Sequence, residues 1–331
     1  MKKLYSFIAT MVISIVVFGQ VSLTTLNTAY TQNFDGLAST GTGTGTVTTT
    51  GTSGSKVASV ILSGSLSGWY FVETTTNADG VYTASTGSAT AGDTYSYGAS
   101  SSTERALGSI ASGNLLSRYG AQFTNNTGNT IDQLDISYVG EEWRFDPARG
   151  TTIKDQITFE YSTDATSLTT GTWTAVTALL YETTNLTGTV GTRNGNDAAY
   201  RTSLSNTITG LNIPVGQIFW IRFVDINVSG TDDGLAIDDF SLTPINSTLS
   251  VNDISKTKNI FLKNTMVDNT LSFQTKGNAS VKVYNANGQL VKTANVSAQN
   301  ANVNVANLPK GNYVVTAELN GETVSQKILK K

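Results

Sequence analysis

Short runs of alternating apolar and polar residues, separated by turn formers, constrain this chain more than any other feature. Across residues 157–162, Ile157, Phe159 and Tyr161 fall on one face while Thr158, Glu160 and Ser162 fall on the other. A period of two is the signature of a half-buried strand. Similar runs occupy residues 131–139, 217–224 and 234–242, with Gly, Ser, Thr and Asn between them. Repeated over some 225 residues, this spacing predicts an all-β fold: a large antiparallel, jelly-roll-like sandwich. Residues 39–55, almost entirely Gly, Thr and Ser, lack the strand, helix and Lys-Ser/Thr pair of a phosphate-cradling loop and read as a mobile loop.

Composition narrows the chemistry. The 331 residues include no cysteine and no histidine. Disulfides, a lipidated N-terminal cysteine, His-ligated zinc and imidazole-based catalysis are therefore excluded. Residues 1–250 carry 11 basic and 20 acidic residues, whereas residues 251–331 carry 10 lysines and 4 acids. An acidic domain repels phosphate backbones, so nucleic acid is not its partner.

The start reads as a signal peptide for the Sec machinery. Lys2 and Lys3 precede an apolar run over residues 4–18, and cleavage is expected near Gly19. Roughly 15 residues fall short of the ~20 that span a bilayer, so no transmembrane anchor is expected. The boundaries are a signal peptide at 1–19, the sandwich at 20–244, a linker at 245–254 and a second domain at 255–331. In that last segment, Asn287-Gly288 is a two-residue hairpin signal, Leu308-Pro309-Lys310-Gly311 is a turn, and Asn320-Gly321 is another hairpin. Several strands in ~75 residues predict a small Ig-like sandwich.

The elements Val283-Tyr284-Asn285-Ala286-Asn287-Gly288-Gln289-Leu290-Val291, Leu308-Pro309-Lys310-Gly311-Asn312-Tyr313 and Lys327-Ile328-Leu329-Lys330-Lys331 resemble the type A sorting domain of the type IX secretion system of Bacteroidetes. The resemblance makes Gly288, Leu308, Pro309, Gly311, Tyr313, Lys330 and Lys331 the sorting motif. It implies passage through the periplasm and recognition by the outer-membrane translocon and its C-terminal signal peptidase. The destination is then the outer cell surface or the medium. In the larger domain, Phe34-Asp35-Gly36-Leu37, Arg105-Ala106-Leu107-Gly108-Ser109, Gly140-Glu141-Glu142-Trp143-Arg144 and Gly234-Leu235-Ala236-Ile237-Asp238-Asp239-Phe240 resemble a recurring set in uncharacterised bacterial secreted proteins. The last is similar to the closing strand of MAM-like jelly rolls. That resemblance implies a fold and an exported context, not a reaction.

Asp225, Asp232, Asp233, Asp238 and Asp239 crowd a Gly-containing turn, and calcium takes six to eight oxygens of this kind. Calcium is the only cofactor expected, against the plainer reading of a solvated turn. By strand parity Asp238 shares a face with Phe240 and Leu242 and should point inward. Glu141 and Glu142, as strand neighbours, project to opposite faces and cannot form a glycosidase pair by themselves. Glu142 and Arg144 share a face and are expected to pair, with Trp143 in the core. Trp69, Tyr70, Tyr95 and Tyr97 sit in Gly/Ser-rich segments and are the candidate glycan-stacking residues, whereas Trp143, Trp173 and Trp220 are expected in the core. The expected function is non-catalytic binding of a glycan or other surface component. The alternatives are an extracellular polysaccharide-acting enzyme built on carboxylates and a structural or adhesion protein of the surface.

Overall fold

A computed structural model describes residues 19–52, 54–183, 185–247 and 260–331. Residues 1–18 of the expected signal peptide (1–19) and most of the expected linker lie outside these residues. The chain divides into two compact units between Ser247 and Thr248.

The alternating runs form strands because their apolar faces meet between two sheets. In the first sheet the order is Thr174–Ala175, Gln156–Ser162, Ile218–Asp225, Leu116–Asn125, Trp69–Thr74, Val57–Ile61 and Thr46–Thr50. In the second it is Gly191–Thr192, Gln133–Phe145, Gly234–Ile245, Ala106–Ile110, Asp93–Tyr97, Tyr82–Ser85 and Thr42–Gly43. Val21–Leu23 and Tyr181–Glu182 pair at the side of the first sheet, Tyr30–Gln32 and Arg201–Ile208 at the side of the second. Pairing is antiparallel except where Val21–Leu23 meets Leu116–Asn125 and Tyr82–Ser85 meets Asp93–Tyr97.

Between the sheets lies a core rich in aromatics. Phe223 is packed by Tyr138, Phe159 and Phe240 edge-on at centroid distances of 5.0, 5.2 and 6.1 Å, and Trp69 meets Phe34 edge-on at 4.7 Å. Each such ring contributes about 2–3 kcal/mol by leaving water. Close backbone approach fixes one glycine: a Cβ on Gly140 would lie 2.3 Å from the Tyr181 ring. Residues 39–55 are not wholly a loop. Thr46–Thr50, exposed along its length, pairs with the partly buried Val57–Ile61 at the sheet edge. Its threonines are β-branched and favour extended backbone, while Gly51 (φ 81°) takes the turn.

The second unit is a smaller pair of sheets. One has Ile260–Leu262, Thr270–Thr275 and Asn302–Asn304; the other has Met266–Val267, Glu322–Lys330, Gly311–Leu319, Ala279–Asn285 and Leu290–Val296. Asn320 and Gly321, at φ 53° and 81°, form the expected two-residue hairpin turn. The Asn287-Gly288 turn is one residue longer than expected. Asn285 N–H donates to Gln289 O (2.9 Å), leaving three residues in the loop, and only Gly288 takes positive φ (77°). The Asn285 side chain accepts from the N–H groups of Asn287 and Gln289, which holds this longer turn.

Candidate functional site

Strand alternation separates the four expected stacking residues. In Trp69–Thr74, Trp69 and Phe71 face the core and are 0% exposed, while Tyr70 and Val72 face outward. Trp69 cannot stack on an external sugar, and its indole N–H donates to Tyr30 Oη (2.9 Å). Tyr95 and Tyr97 are also buried, under the segments covering the outer face of the second sheet, where Tyr97 stacks on Trp143 at 5.9 Å. Loop composition suggested exposure for these three; strand pairing and covering segments remove it. Only Tyr70 remains half-buried at a surface.

Tyr70 lines a groove of about 160 Å³ on the outer face of the first sheet. Its ring lies against Trp220 at 4.8 Å, tilted by 54°. Val60, Ile61, Phe71, Val72 and Leu168 extend the apolar lining, and Thr48, Ser59, Thr166, Ser167 and Thr169 add hydroxyls to it. Trp220 is buried as expected, but on this outer face, and its indole Nε1 has no hydrogen-bond partner. Trp173 is half-buried rather than in the main core. It carries the Arg222 guanidinium 4.0 Å above its ring, and Arg222 also binds Glu160 at 2.6 Å.

The five expected calcium ligands separate into three settings. Asp225, Asp232 and Asp233 gather at one end of the sandwich with Asp155, which sequence reasoning missed. Arg149 answers them, donating from Nη1 (2.6 Å) and Nη2 to the two oxygens of Asp233. Asp233 N–H donates to Asp155 (2.6 Å), Val228 N–H to Asp232 (2.9 Å), and Ser109 Oγ–H to Asp225 (2.6 Å). Burial and mutual repulsion raise Asp155 and Asp225 well above the usual carboxylate range, and burial raises Asp232 to about 6. Arg149 pairs with one of the four aspartates, Asp233, and the raised carboxyls of the others hold their protons to higher pH than free aspartate does. Asp239 is exposed and pairs with Arg201 at 3.4 Å.

Asp238 stands apart from both, and its position corrects the parity argument. The register between Gln133–Phe145 and Gly234–Ile245 slips between Ser137↔Ser241 and Val139↔Asp238, adding one residue to the latter strand. Asp239 takes the left-handed conformation there (φ 49°). Leu235, Ile237, Phe240 and Leu242 therefore share the core, and Asp238 points to the opposite face. It is still only 4% exposed, beside Glu141 (0% exposed) and Glu104. One oxygen from each of these three carboxyls lies within 4.8 Å of the others. Burial raises Glu141 to about 7 and pushes Asp238 further up, with the Glu141 charge adding to the rise.

Among the described residues, one other trio of carboxyls converges as closely: Glu73, Asp79 and Asp93. Glu73 is satisfied by the N–H groups of Asp79 (3.0 Å) and Gly80 (2.9 Å) and by Thr94 Oγ1–H (2.7 Å). The expected Glu142–Arg144 pair is absent. Glu142 accepts from Asn185 Nδ2 (2.8 Å) and Thr183 Oγ1 (3.3 Å), while Arg144 meets Asp146 at 3.8 Å. Glu73 had a signal in the sequence, since it shares parity with Trp69 and Phe71. Glu104, in a Ser/Thr-rich loop, had none.

In the tail, Leu308 N–H closes its turn on Val305 O (3.0 Å), and Tyr313 Oη–H donates to Pro309 O (2.8 Å) ahead of the strand that Gly311 opens. Lys330 is buried in the last strand and Lys331 is exposed. A hollow of about 430 Å³ in this unit is lined by Tyr284, Gly288, Tyr313 and Lys327 among others.

Residues 267–331 match the family described as the secretion system C-terminal sorting domain. The tail thus marks the chain for export to the cell surface or the extracellular space through type IX secretion. No curated protein matches the chain. Among solved structures, similarity is found to the adhesin domain of Epf from Streptococcus pyogenes, at 10% identity, covering 87% of this chain and 90% of that one, with a TM-score of 0.24. A β-1,2-glucanase from Parabacteroides distasonis gives 12% identity, 68% and 32% coverage and a TM-score of 0.23. The Endo-D glycoside hydrolase domain from Streptococcus pneumoniae R6 gives 11% identity, 80% and 38% coverage and a TM-score of 0.25. Likeness this remote assigns no activity. No helix among the described residues is long and apolar enough to cross a membrane.

Proposed function

We propose that this exported protein is a non-catalytic surface binder whose larger unit holds a sugar ring against Tyr70, with the buried Trp220 backing that ring. The observation that carries the reading is the groove itself: the half-buried Tyr70 ring, supported from below by Trp220 at 4.8 Å, with serine and threonine hydroxyls along the same groove. Sugar C–H groups pack against aromatic faces, and serine and threonine hydroxyls exchange hydrogen bonds with sugar hydroxyls. The residues lining the groove include no carboxylate, and Glu160 is paired with Arg222, which itself donates to the carbonyl of the groove residue Leu168; this favours binding over hydrolysis. Glycoside hydrolysis needs two carboxyls flanking the bond, about 5–9.5 Å apart.

A glycan array probed with the full chain tests this. The wild type should retain a set of glycans, and Tyr70→Ala should weaken binding about tenfold, the loss of one stacking contact of about 1.4 kcal/mol, while melting within a few degrees of wild type. Retained oligosaccharides should be recovered uncut. Shortened products would transfer the reading to a carboxylate enzyme, and an array with no bound glycan would leave a structural surface protein.

A further inference from the structure

We propose that Glu104, Glu141 and Asp238 form a calcium site on the outer face of the second sheet, independent of the groove on the first. Three neighbouring segments place the ligands. Glu141 projects from Gln133–Phe145 and Asp238 from Gly234–Ile245, while Glu104 comes from the loop leading into Ala106–Ile110. The extra residue at Asp239 turns Asp238 out of the core and onto the face that carries Glu141.

The spacing fits one ion. Calcium sits about 2.4 Å from its oxygen ligands, so two ligands of one ion are at most ~4.8 Å apart. The three carboxyls meet that limit pairwise. The same three carboxyls also leave Glu104 Oε1, Glu141 Oε1 and Asp238 Oδ1 buried with no hydrogen-bond partner. Leaving buried carboxylate oxygens unmatched is costly, and a cation resolves all three at once. Arg201 is turned to Asp239, and the buried Arg105, next to Glu104 in the chain, gives its Nε and Nη2 donors to Ser96.

The remaining oxygens are held as a ligand shell needs. Trp143 Nε1–H donates to Glu141 Oε2 (2.9 Å), and Asn196 Nδ2–H donates to Glu104 Oε2. These donors orient the carboxyls and leave the other oxygen of each free. Calcium accepts six to eight oxygens in irregular arrangements, whereas magnesium demands a near-ideal octahedron, so a site drawn from two strands and a loop suits calcium. A bound ion would fasten the loop carrying Glu104, and through Asn196 the segment before Arg201–Ile208, onto the sheet.

The test uses the full chain freed of metal with a chelator. Terbium titration should give emission sensitised by the adjacent Trp143, and calcium should displace it. At a concentration about 100-fold above Kd, calcium should raise the Tm of the larger unit by about 5–10 °C. Glu141→Gln with Asp238→Asn, of nearly unchanged shape, should abolish both responses while melting in chelator no lower than wild type. Should that double variant fail to fold, Glu104→Gln at the rim should weaken calcium binding at least tenfold. A wild-type chain whose Tm and terbium emission ignore calcium, or a folded variant with the full wild-type response, overturns the proposal.

Discussion

Glu73→Gln should abolish a proton titration while keeping each hydrogen bond of the wild-type side chain. Glu73 lies on the core face of its strand, 0% exposed, and burial raises it from the ordinary 4.5 to about 7 against the opposing pull of its donors at Gly80, Thr94 and Asp79. A glutamine can keep its carbonyl oxygen on the two N–H groups and turn its amide toward Thr94 Oγ1, whose hydroxyl then donates to Ser117 Oγ at 2.8 Å. Below pH ~4.5 both folded and unfolded wild-type chains hold the Glu73 proton, and its contribution to stability is fully present. Between ~4.5 and ~7 the unfolded chain releases the proton while the folded chain keeps it, so stability falls as pH rises; above ~7 the loss is complete. A rise of about 2.5 pKa units is worth about 3 kcal/mol. Relative to wild type, the variant should therefore gain about 3 kcal/mol between pH 4.5 and pH 8, or about 10 °C in Tm for a unit of this size. Urea unfolding at both pH values in chelator measures it. Parallel pH profiles for the two proteins would refute the reasoning, because Glu73 would then titrate alike in folded and unfolded chains.

Arg149→Met leaves Asp233 buried without its cation and should cost about 3–5 kcal/mol at pH 8. The loss should shrink at pH 5, where the raised carboxyls around it retain protons; an equal loss at both pH values in urea melts would contradict this. Gly140→Ala drives a methyl into the Tyr181 ring and should cost at least ~2 kcal/mol. A Tm within a degree of wild type would mean that the two sheets yield more readily than their close packing implies.

Much of the fold is legible in the sequence because alternation is local. Ile157, Phe159 and Tyr161 announce a strand without reference to any partner, and Asn320-Gly321 announces its turn. The sites are less legible because they depend on pairing. One extra residue at Asp239 reverses the facing of Asp238 relative to Phe240, and no local pattern around the Asp-Asp pair reveals it. Tyr70 and Trp69 are adjacent and chemically alike, yet parity sends one to a groove and the other to the core. Asp225 and Asp238 are close in sequence but belong to different sheets, so an acidic run that reads as one cluster folds into separate ones. Arg149 comes from a short turn at Pro147–Arg149, far along the chain from the aspartate it holds.

The central claim is a division of labour between a binding unit and a C-terminal address, and the address admits the most direct measurement. Cells producing the full chain, or the chain lacking residues 248–331, are treated with a protease that cannot enter the periplasm, and the larger unit is followed by immunoblot. The full chain should be cleaved at the surface or found in the medium, while the truncated chain should persist, folded and protected, inside the outer membrane. Surface delivery of the truncated chain at the wild-type level would contradict the account.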